Sequence, residues 1–205
     1  MKADMSAKAW KAVNTLVSDA ELDGTKVLRV EKGDALLNDY DENTYARLIG
    51  SDFHNGIIEV RLRSRLLPSA PELARGFIGV AFRISDNDAE FESFYLRPTN
   101  VMTDDPVRRA HGCQYFSYPG YTFAYFRRFG VEGYEAPIDC GLDEWITLRA
   151  EIRGAQAAFY LNGRAEPVLR VDGLKHGPDA RGGVGLFVDI GTEAFFSDVT
   201  VTCED

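Results

Sequence analysis

The segment FESFYLRPTN, residues 91–100, carries side chains that could hold a small polar molecule. On a β-strand alternate residues face opposite sides, so Ser93, Tyr95 and Arg97 would share one face and Phe94 and Leu96 the other. A phenol ring can pack against the apolar face of a sugar, and a guanidinium fork can bind vicinal hydroxyl groups or a carboxylate. The proline that follows ends the strand, and the chain after it is predicted to turn into a covering loop.

Two further runs are predicted to present similar side chains to the same face. In GFIGVAFRIS the alternation puts Arg83 beside the small residues Gly79 and Ala81, and in GVGLFVD it puts Phe187 and Asp189 opposite an aliphatic face. An arginine, an aromatic ring and a carboxylate gathered on one surface are typical of a site for a small polar ligand such as a sugar. The alternative is a solvated strand face with cross-strand ion pairs.

The chain after the proline supplies candidates for the covering loop. We expect Asn100, Arg109, His111, Gln114 and Tyr115 to close over a ligand on this face. A histidine can act as an acid or a base near neutral pH, so His111 is also a catalytic candidate. The alternative is an exposed loop whose arginines balance the acidic excess of the chain.

An acidic run, DNDAEFE, precedes the first segment. Its alternating carboxylates make Glu92 a second catalytic candidate, although an acidic turn between two strands has the same pattern. The oxygen atoms of Asp86, Asn87 and Asp88, with Asp198, could bind calcium, but Asp-Asn-Asp is also an ordinary turn sequence. EF-hand spacing and zinc spacing are both missing, so no metal or other cofactor is predicted.

The overall composition excludes several classes of partner. The chain of 205 residues has a net charge of −9 and a pI of about 4.9, which argues against nucleic acid and anionic membranes as partners. No apolar run approaches the roughly 18 residues that span a bilayer. Three cysteines without CxxC spacing and the lack of a signal-peptide core favour a cytoplasmic address. The oligomeric state stays open.

The elements that must position these residues are short strands. From Thr25 onward, alternating apolar runs separated by turn residues predict an all-β, two-sheet antiparallel sandwich. The strand candidates include CQYFSY and YTFAYFRR. Residues 1–24 are predicted to be a lead-in packed on the body, either a short helix capped by Ser6 or an irregular segment. Residues 25–205 are predicted to be a single domain.

The order of these motifs resembles the concanavalin A-like lectin/glucanase superfamily, in the laminin-G-like branch that includes many uncharacterised bacterial domains. The resemblance rests on GFIGVAFR, FESFYLRP, EWITLRAEIRGAQAAFYLNG and the closing GGVGLFVDIGTEAFFSDVTV, and it runs from about residue 52 to residue 202. It implies a jelly roll with one concave face, on which or at whose rim sugars commonly bind.

The laminarinase-type glycoside hydrolases of that superfamily carry Glu-x-Asp-x-Glu on one strand, with the outer carboxylates as nucleophile and acid/base. Here the order is Asp-x-Glu-x-Glu, and the tryptophan and isoleucine that flank the family motif are missing. In addition, Glu92 is in phase with Phe94 on the predicted core side. The enzymatic alternative therefore depends on Glu92 or His111 alone.

The sequence thus predicts a β-sandwich that binds a carbohydrate on its concave face. The predicted contacts are Arg83, Tyr95, Arg97, Asn100, Arg109, Gln114, Tyr115, Phe187 and Asp189. A glycoside hydrolase or polysaccharide lyase on the same scaffold is one alternative, with Glu92 or His111 as acid/base. A protein-interaction module without a small ligand is the other.

Overall fold

The alternating aliphatic runs form strands, and the strands build the two antiparallel sheets that the sequence predicts. The computed structural model describes residues 1–204. In spatial order, the first sheet consists of β12 (Leu169–Val171), β11 (Gln156–Leu161), β10 (Ile146–Arg153), β5 (Asn55–Leu66), β14 (Thr192–Glu204), β3 (Thr25–Lys32) and β2 (Thr15–Leu22).

The second sheet also has seven strands, and it carries the residues of the opening segment. Its order is β1 (Trp10–Val13), β4 (Tyr45–Leu48), β13 (Gly183–Val188), β6 (Ile78–Ile84), β7 (Phe91–Leu96), β8 (Cys113–Tyr118) and β9 (Glu135–Ala136). Two short helices lie between its strands, α1 (Pro106–Ala110) and α2 (Phe123–Phe129). None of the helices in residues 1–204 is long and apolar enough to span a bilayer.

The main core lies between the two sheets. It contains the aliphatic face of each predicted strand, including Ile58, Val60 and Leu62 of β5. Phe94 of β7 stacks on Phe159 of β11 across the interior, with ring centroids 4.1 Å apart. Burial of these continuous apolar faces is the dominant stabilising contribution to such a sandwich.

A second apolar cluster covers the outer face of the second sheet, the face turned away from the first sheet. Tyr95, Phe116 and Phe187 project there from β7, β8 and β13, and Phe126 of α2 packs on them. Every residue of β6, β7 and β13 is consequently buried. The predicted alternation of β7 is confirmed, because Phe94 belongs to the main core and Tyr95 to the outer cluster.

A β-bulge near the end of β6 reverses the predicted phase. Arg83 has φ +53°, and the pairing with β13 shifts between Gly183 and Gly185. Ile84 therefore joins the outer cluster, while Arg83 turns toward the end of the sandwich interior. The expected position of Arg83 on the outer face is wrong, because one extra residue in a strand exchanges the two faces.

Two local expectations are also wrong. The stretch YTFAYFRR contains helix α2, which follows the N-cap position Thr122 and ends at Gly130 with φ +60°. The amide N of Val131 donates to the carbonyl O of Phe126 at 2.9 Å, as in a left-handed helix terminus. In the first 24 residues a single 3₁₀ turn precedes β1 and β2, which are edge strands of the two sheets, and no longer helix forms.

Candidate functional site

A cavity of about 360 Å³ opens on the outer face of the second sheet, beside the end of β7. The ends of β7 and β13 contribute Tyr95, Arg97 and Asp189 to it. Irregular segments and the two helices contribute the other lining residues: Tyr40, Asp41, Leu73, Arg75, Phe77, Asn100, Val107, Arg108, His111, Phe123 and Arg127. Functional sites of this kind combine a rigid sheet with loops around it.

Close contact between β6 and β7 fixes the strand that carries Tyr95. A Cβ atom on Gly79 would lie 2.0 Å from the carbonyl O of Phe94 and 2.6 Å from the Cα of Tyr95. Only glycine permits this approach. Gly79 thus allows β6 to pair closely with the strand that carries Tyr95.

Tyr95 and Arg97 are held together by a buried amide. Arg97 Nη2 donates to Tyr95 Oη at 2.9 Å and also to Gln114 Oε1. The Tyr95 hydroxyl lies 3.0 Å from the same Gln114 oxygen. Gln114 is fully buried and does not line the cavity, so it positions the other two side chains from below.

Glu135 of β9 balances several cations at one side of the cavity. Its carboxylate accepts from Arg97 Nη1 and lies 3.4 Å from Arg127 Nη2 and 3.6 Å from His111 Nε2. Burial would raise the pKa of Glu135, but the charge and hydrogen bond of Arg97 outweigh it and hold this pKa below its usual value. Burial would lower the pKa of Arg97, and its neighbours Tyr95 and Glu135 raise it by more. Both groups are therefore charged at neutral pH.

Two aspartates, Asp41 and Asp189, are joined by a hydrogen bond at the cavity. Asp189 accepts from the buried Lys32 Nζ at 2.6 Å and from the backbone N of Asp41 at 2.9 Å. Burial raises the pKa of Asp189, and the Lys32 charge opposes this. The hydrogen bond from the backbone N of Asp41 holds Asp41 beside Asp189.

The Asp41 side chain is an acid of the cavity whose pKa lies near neutrality. Burial and then the charge of Asp189 raise its pKa from 3.8 to about 7. Its Oδ2 accepts from the backbone N of Phe123 at 3.1 Å, and its Oδ1 lies 3.3 Å from Tyr95 Oη. Because the Tyr95 hydrogen has the nearer acceptor Gln114, a proton on Asp41 Oδ1 completes this contact.

Five of the predicted site residues lie together in the cavity: Tyr95, Arg97, Asn100, His111 and Asp189. Asn100 Nδ2 donates to the backbone O of His111 at 2.7 Å, which ties the two ends of the covering segment together. The segment after β7 thus borders the cavity through Asn100 and His111, and its predicted role in covering a ligand stays a prediction.

The other predicted residues lie elsewhere. Phe187 is fully buried and packs beneath Tyr95 at 5.5 Å between ring centroids. Arg109 is exposed on α1, where it contacts the carbonyl O of Val101 at 3.4 Å, and does not line the cavity. Phe187 therefore supports the cavity from beneath Tyr95, and Asp189, two residues later in the chain, lines it.

Glu92, Arg83 and Tyr115 form a cluster inside the sandwich, so their predicted exposure to a ligand is wrong. Arg83 Nη1 lies 3.4 Å from Glu92 Oε2, and both side chains are fully inaccessible to water. Tyr115 Oη donates to Glu92 Oε1 at 2.6 Å. Burial lowers the pKa of Arg83 and raises that of Tyr115. The remaining donors of Arg83 bind the carbonyl oxygens of His54, Gly154 and Gly177.

The carboxylates considered for calcium are used in ion pairs instead. Asp88 contacts Lys11 Nζ at 2.6 Å and Arg47 Nη1 at 2.9 Å, and Asp198 contacts Lys2 Nζ at 3.2 Å. Within residues 1–204, no group of three or more histidine, cysteine, aspartate or glutamate side chains could hold a metal ion.

Several lining residues were not predicted. Phe123 and Arg127 are four positions apart on α2, and the Thr122 and Gly130 boundaries are the signal that could have placed them on one helix face. Asp41 and Arg75 lie in irregular segments. Their positions depend on contacts distant in sequence, for which the local pattern contains no signal.

Comparison with known proteins relates the chain to a fold. No protein-family model matches the chain, and no curated protein matches it. The carbohydrate-binding module CBM66 from Bacillus subtilis is similar in structure, with a TM-score of 0.61 and 15% identity, over 96% of each chain. A Bacillus subtilis protein of unknown function with a galectin-like fold has a TM-score of 0.54 and 14% identity, over 94% of this chain and 88% of that one. The likeness establishes a jelly-roll β-sandwich fold.

Proposed function

We propose that this protein binds a small carbohydrate in the cavity beside the end of β7. The observation that carries the proposal is the combination of aromatic rings with rigidly held polar groups in one opening of the outer face. Its volume of about 360 Å³ lies near the lower end of the roughly 300–1,000 Å³ of ligand sites. That volume suits a small sugar better than a long stretch of polymer.

The aromatic side chains give the cavity a surface for the C–H faces of a sugar ring. Tyr40 is exposed, while Phe77 and Phe123 are half-buried. Tyr40 and Phe123 meet edge to face with centroids 6.3 Å apart, and Phe77 packs against Tyr95. Such rings offer apolar contact area with little loss of conformational freedom on binding.

The polar groups supply the directional part of recognition. Arg97 is fixed by Glu135 and Gln114 before any ligand arrives, and Asn100 Oδ1 is buried without a hydrogen-bond partner. A preorganised donor and a vacant acceptor suit hydroxyl groups, which both donate and accept. The likeness to a carbohydrate-binding module and to a galectin-like fold is compatible with this proposal.

The test is calorimetric titration with a panel of monosaccharides and disaccharides, using matched tyrosine variants. Tyr40→Ala removes a ring from the cavity and should weaken sugar binding about three- to tenfold, the range of one aromatic contact. Tyr121→Ala removes a comparably exposed ring outside the cavity and should leave binding unchanged. No heat and no thermal shift with any sugar, together with stable binding of a protein partner, would favour an interaction module instead.

A glycoside hydrolase is the second candidate, and the position of Asp41 favours it. A carboxylic acid that keeps its proton up to about pH 7 can act as a general acid at neutral pH. Glu92 is fully buried inside the sandwich, so Asp41 replaces it in the enzymatic alternative, with His111 across the cavity. Release of nitrophenol from aryl glycosides that Asp41→Asn abolishes, with sugar binding retained, would identify an enzyme.

A further inference from the structure

Two arginines at the cavity have no acidic partner. Arg75 and Arg108 both line it and are half-buried. Arg75 Nη1 donates only to the carbonyl oxygens of Glu72 and Ala74, at 2.6 and 2.8 Å. Neither arginine forms an ion pair with any residue from 1 to 204, whereas the neighbouring Arg97 is paired with Glu135. Within the described residues neither charge has an ion-pair partner, and Glu72 opposes the lowering of the Arg75 pKa only as the smallest of four causes.

Arg108 also has an unsatisfied donor. Its Nε is buried and has no hydrogen-bond partner. Leaving a buried donor without an acceptor costs free energy, more so when the group is charged. A surface arginine with all its donors in water would not pay this penalty, so the ordinary explanation of a solvated side chain does not fit Arg108.

The charges around the cavity sum to a positive excess in an otherwise acidic chain. Its lining carries four arginines against two aspartates, namely Arg75, Arg97, Arg108 and Arg127 against Asp41 and Asp189. Asp189 is paired with Lys32, which lies outside the lining, and Asp41 keeps its proton up to about pH 7. Glu135 offsets only the side where Arg97 and Arg127 lie. A chain of net charge −9 therefore keeps a local cationic site.

The guanidinium groups are near enough to disfavour one another. Burial, and then the charges of Arg108 and Arg97, lower the pKa of Arg75. Like charges kept together in a partly buried place are relieved when an anion binds between them. Guanidinium forks match the oxygen geometry of carboxylate, sulfate and phosphate groups.

We propose that the saccharide bound here carries an oxyanion, which Arg75 and Arg108 hold at the cavity. This inference rests on the proposed function, because it names the class of sugar that the same cavity accepts. Carboxylate, sulfate and phosphate share the required chemistry. The aromatic side of the cavity then contacts the ring, and the arginine side selects its acidic substituent.

The experiment compares neutral sugars with their acidic counterparts by calorimetry at about pH 6 and low salt. The pairs are glucose with glucuronate, galactose with galacturonate, glucose with glucose 6-phosphate, and N-acetylglucosamine with its 6-sulfate. At least one acidic sugar should bind about tenfold more tightly than its neutral parent. The pair with the largest preference identifies the oxyanion. Raising the salt concentration should reduce the preference and leave the neutral sugar unaffected.

Matched variants locate the effect. Arg75→Gln and Arg108→Gln should each reduce the preference for the acidic sugar over its neutral parent about tenfold. Arg128→Gln removes the same charge from the exposed surface of α2, outside the cavity, and should keep the preference. Circular dichroism and thermal unfolding check that each variant is folded, and the salt series on the unmodified protein tests the inference even if one variant is not.

Three outcomes would overturn the inference, and they are distinguishable. Equal affinity for neutral and acidic sugars would refute the proposed oxyanion recognition and leave the proposed function intact. An equal loss in Arg128→Gln and Arg108→Gln would show that overall charge, and not the cavity, produces the preference. If no sugar in the panel binds, both the oxyanion inference and the proposed function are refuted.

Discussion

The unusual proton affinity of Asp41 makes a prediction about stability that does not depend on knowing the ligand. Asp41→Asn replaces the protonated carboxyl with an amide of the same shape. Its Oδ1 can accept from the backbone N of Phe123, and its Nδ2 can donate to Tyr95 Oη, as the protonated acid does in the present arrangement. The variant therefore represents the neutral state of Asp41 at every pH.

The magnitude follows from the two states of the acid. In the folded protein the pKa of Asp41 is about 7, compared with its ordinary value of 3.8. At about 1.4 kcal/mol for each tenfold difference in proton affinity, this interval corresponds to about 4 kcal/mol. Because the folded state binds the proton more tightly, this contribution to stability is complete below about pH 4. It is lost as the pH rises through 7.

The assay is equilibrium urea unfolding of both proteins from about pH 4.5 to pH 8. The free energy of unfolding of Asp41→Asn should exceed that of the unmodified protein by a margin that grows by about 3 kcal/mol over this range. Asp189 is coupled to Asp41, so the difference reports the proton affinity of this aspartate pair, while the remaining acids titrate in both proteins. Asp179→Asn, an exposed acid, is the control and should give a margin that is flat with pH. Two parallel curves for Asp41→Asn would refute the burial argument for the cavity acid.

Three further predictions concern the groups that position the site. Glu92→Gln should destabilise the fold by about 3 kcal/mol in urea unfolding, because it leaves Arg83 buried without its counterion. The folded fraction should still bind sugar. Lost binding with unchanged stability would contradict the position of Glu92 inside the sandwich. Gly79→Ala should lower stability by about 1–3 kcal/mol, since its Cβ would lie 2.0 Å from a β7 carbonyl oxygen, and an unchanged melting temperature would count against that contact. Lys32→Met should lower the free energy of unfolding by about 3–5 kcal/mol above pH 7, because it leaves Asp189 without its counterion. The decrease should be smaller at acidic pH, where Asp189 is protonated. A decrease that does not change with pH would indicate a packing effect instead.

The strand faces could be predicted from the sequence wherever alternation is unbroken. In β7 the assignment of Phe94 to the interior and of Tyr95 to the outer face is correct, because alternate residues of a strand face opposite sides. In β6 the same rule fails at Arg83, where a bulge with φ +53° inserts one residue out of phase. Arginine gives no local signal of a positive φ, so the reversal depends on the partners Glu92 and Gly154 that only the folded chain provides.

The cavity was predictable only in part. The end of β7 and the segment after its proline were identifiable, and Tyr95 and Arg97 do line the opening. The cavity positions of Asp41 and Arg75 were not identifiable, because both residues reach it from irregular segments outside β7. Arg108 was missed in favour of the adjacent Arg109. On α1 the sequence analysis predicted Arg109, whereas the turn of this five-residue helix places its neighbour Arg108 at the cavity.

The two apolar clusters on opposite faces of the second sheet have a consequence for local unfolding of the molecule. Backbone amides of β6, β7 and β13 have packed side chains above and below them, so we expect their deuterium exchange to require global unfolding. Helix α2 packs on this sheet through Phe126, with Tyr125 partly buried beside it, and neither residue belongs to the core between the sheets. Its amides should exchange sooner. The cavity therefore lies between strands that we expect to exchange slowest and a helix that we expect to exchange sooner.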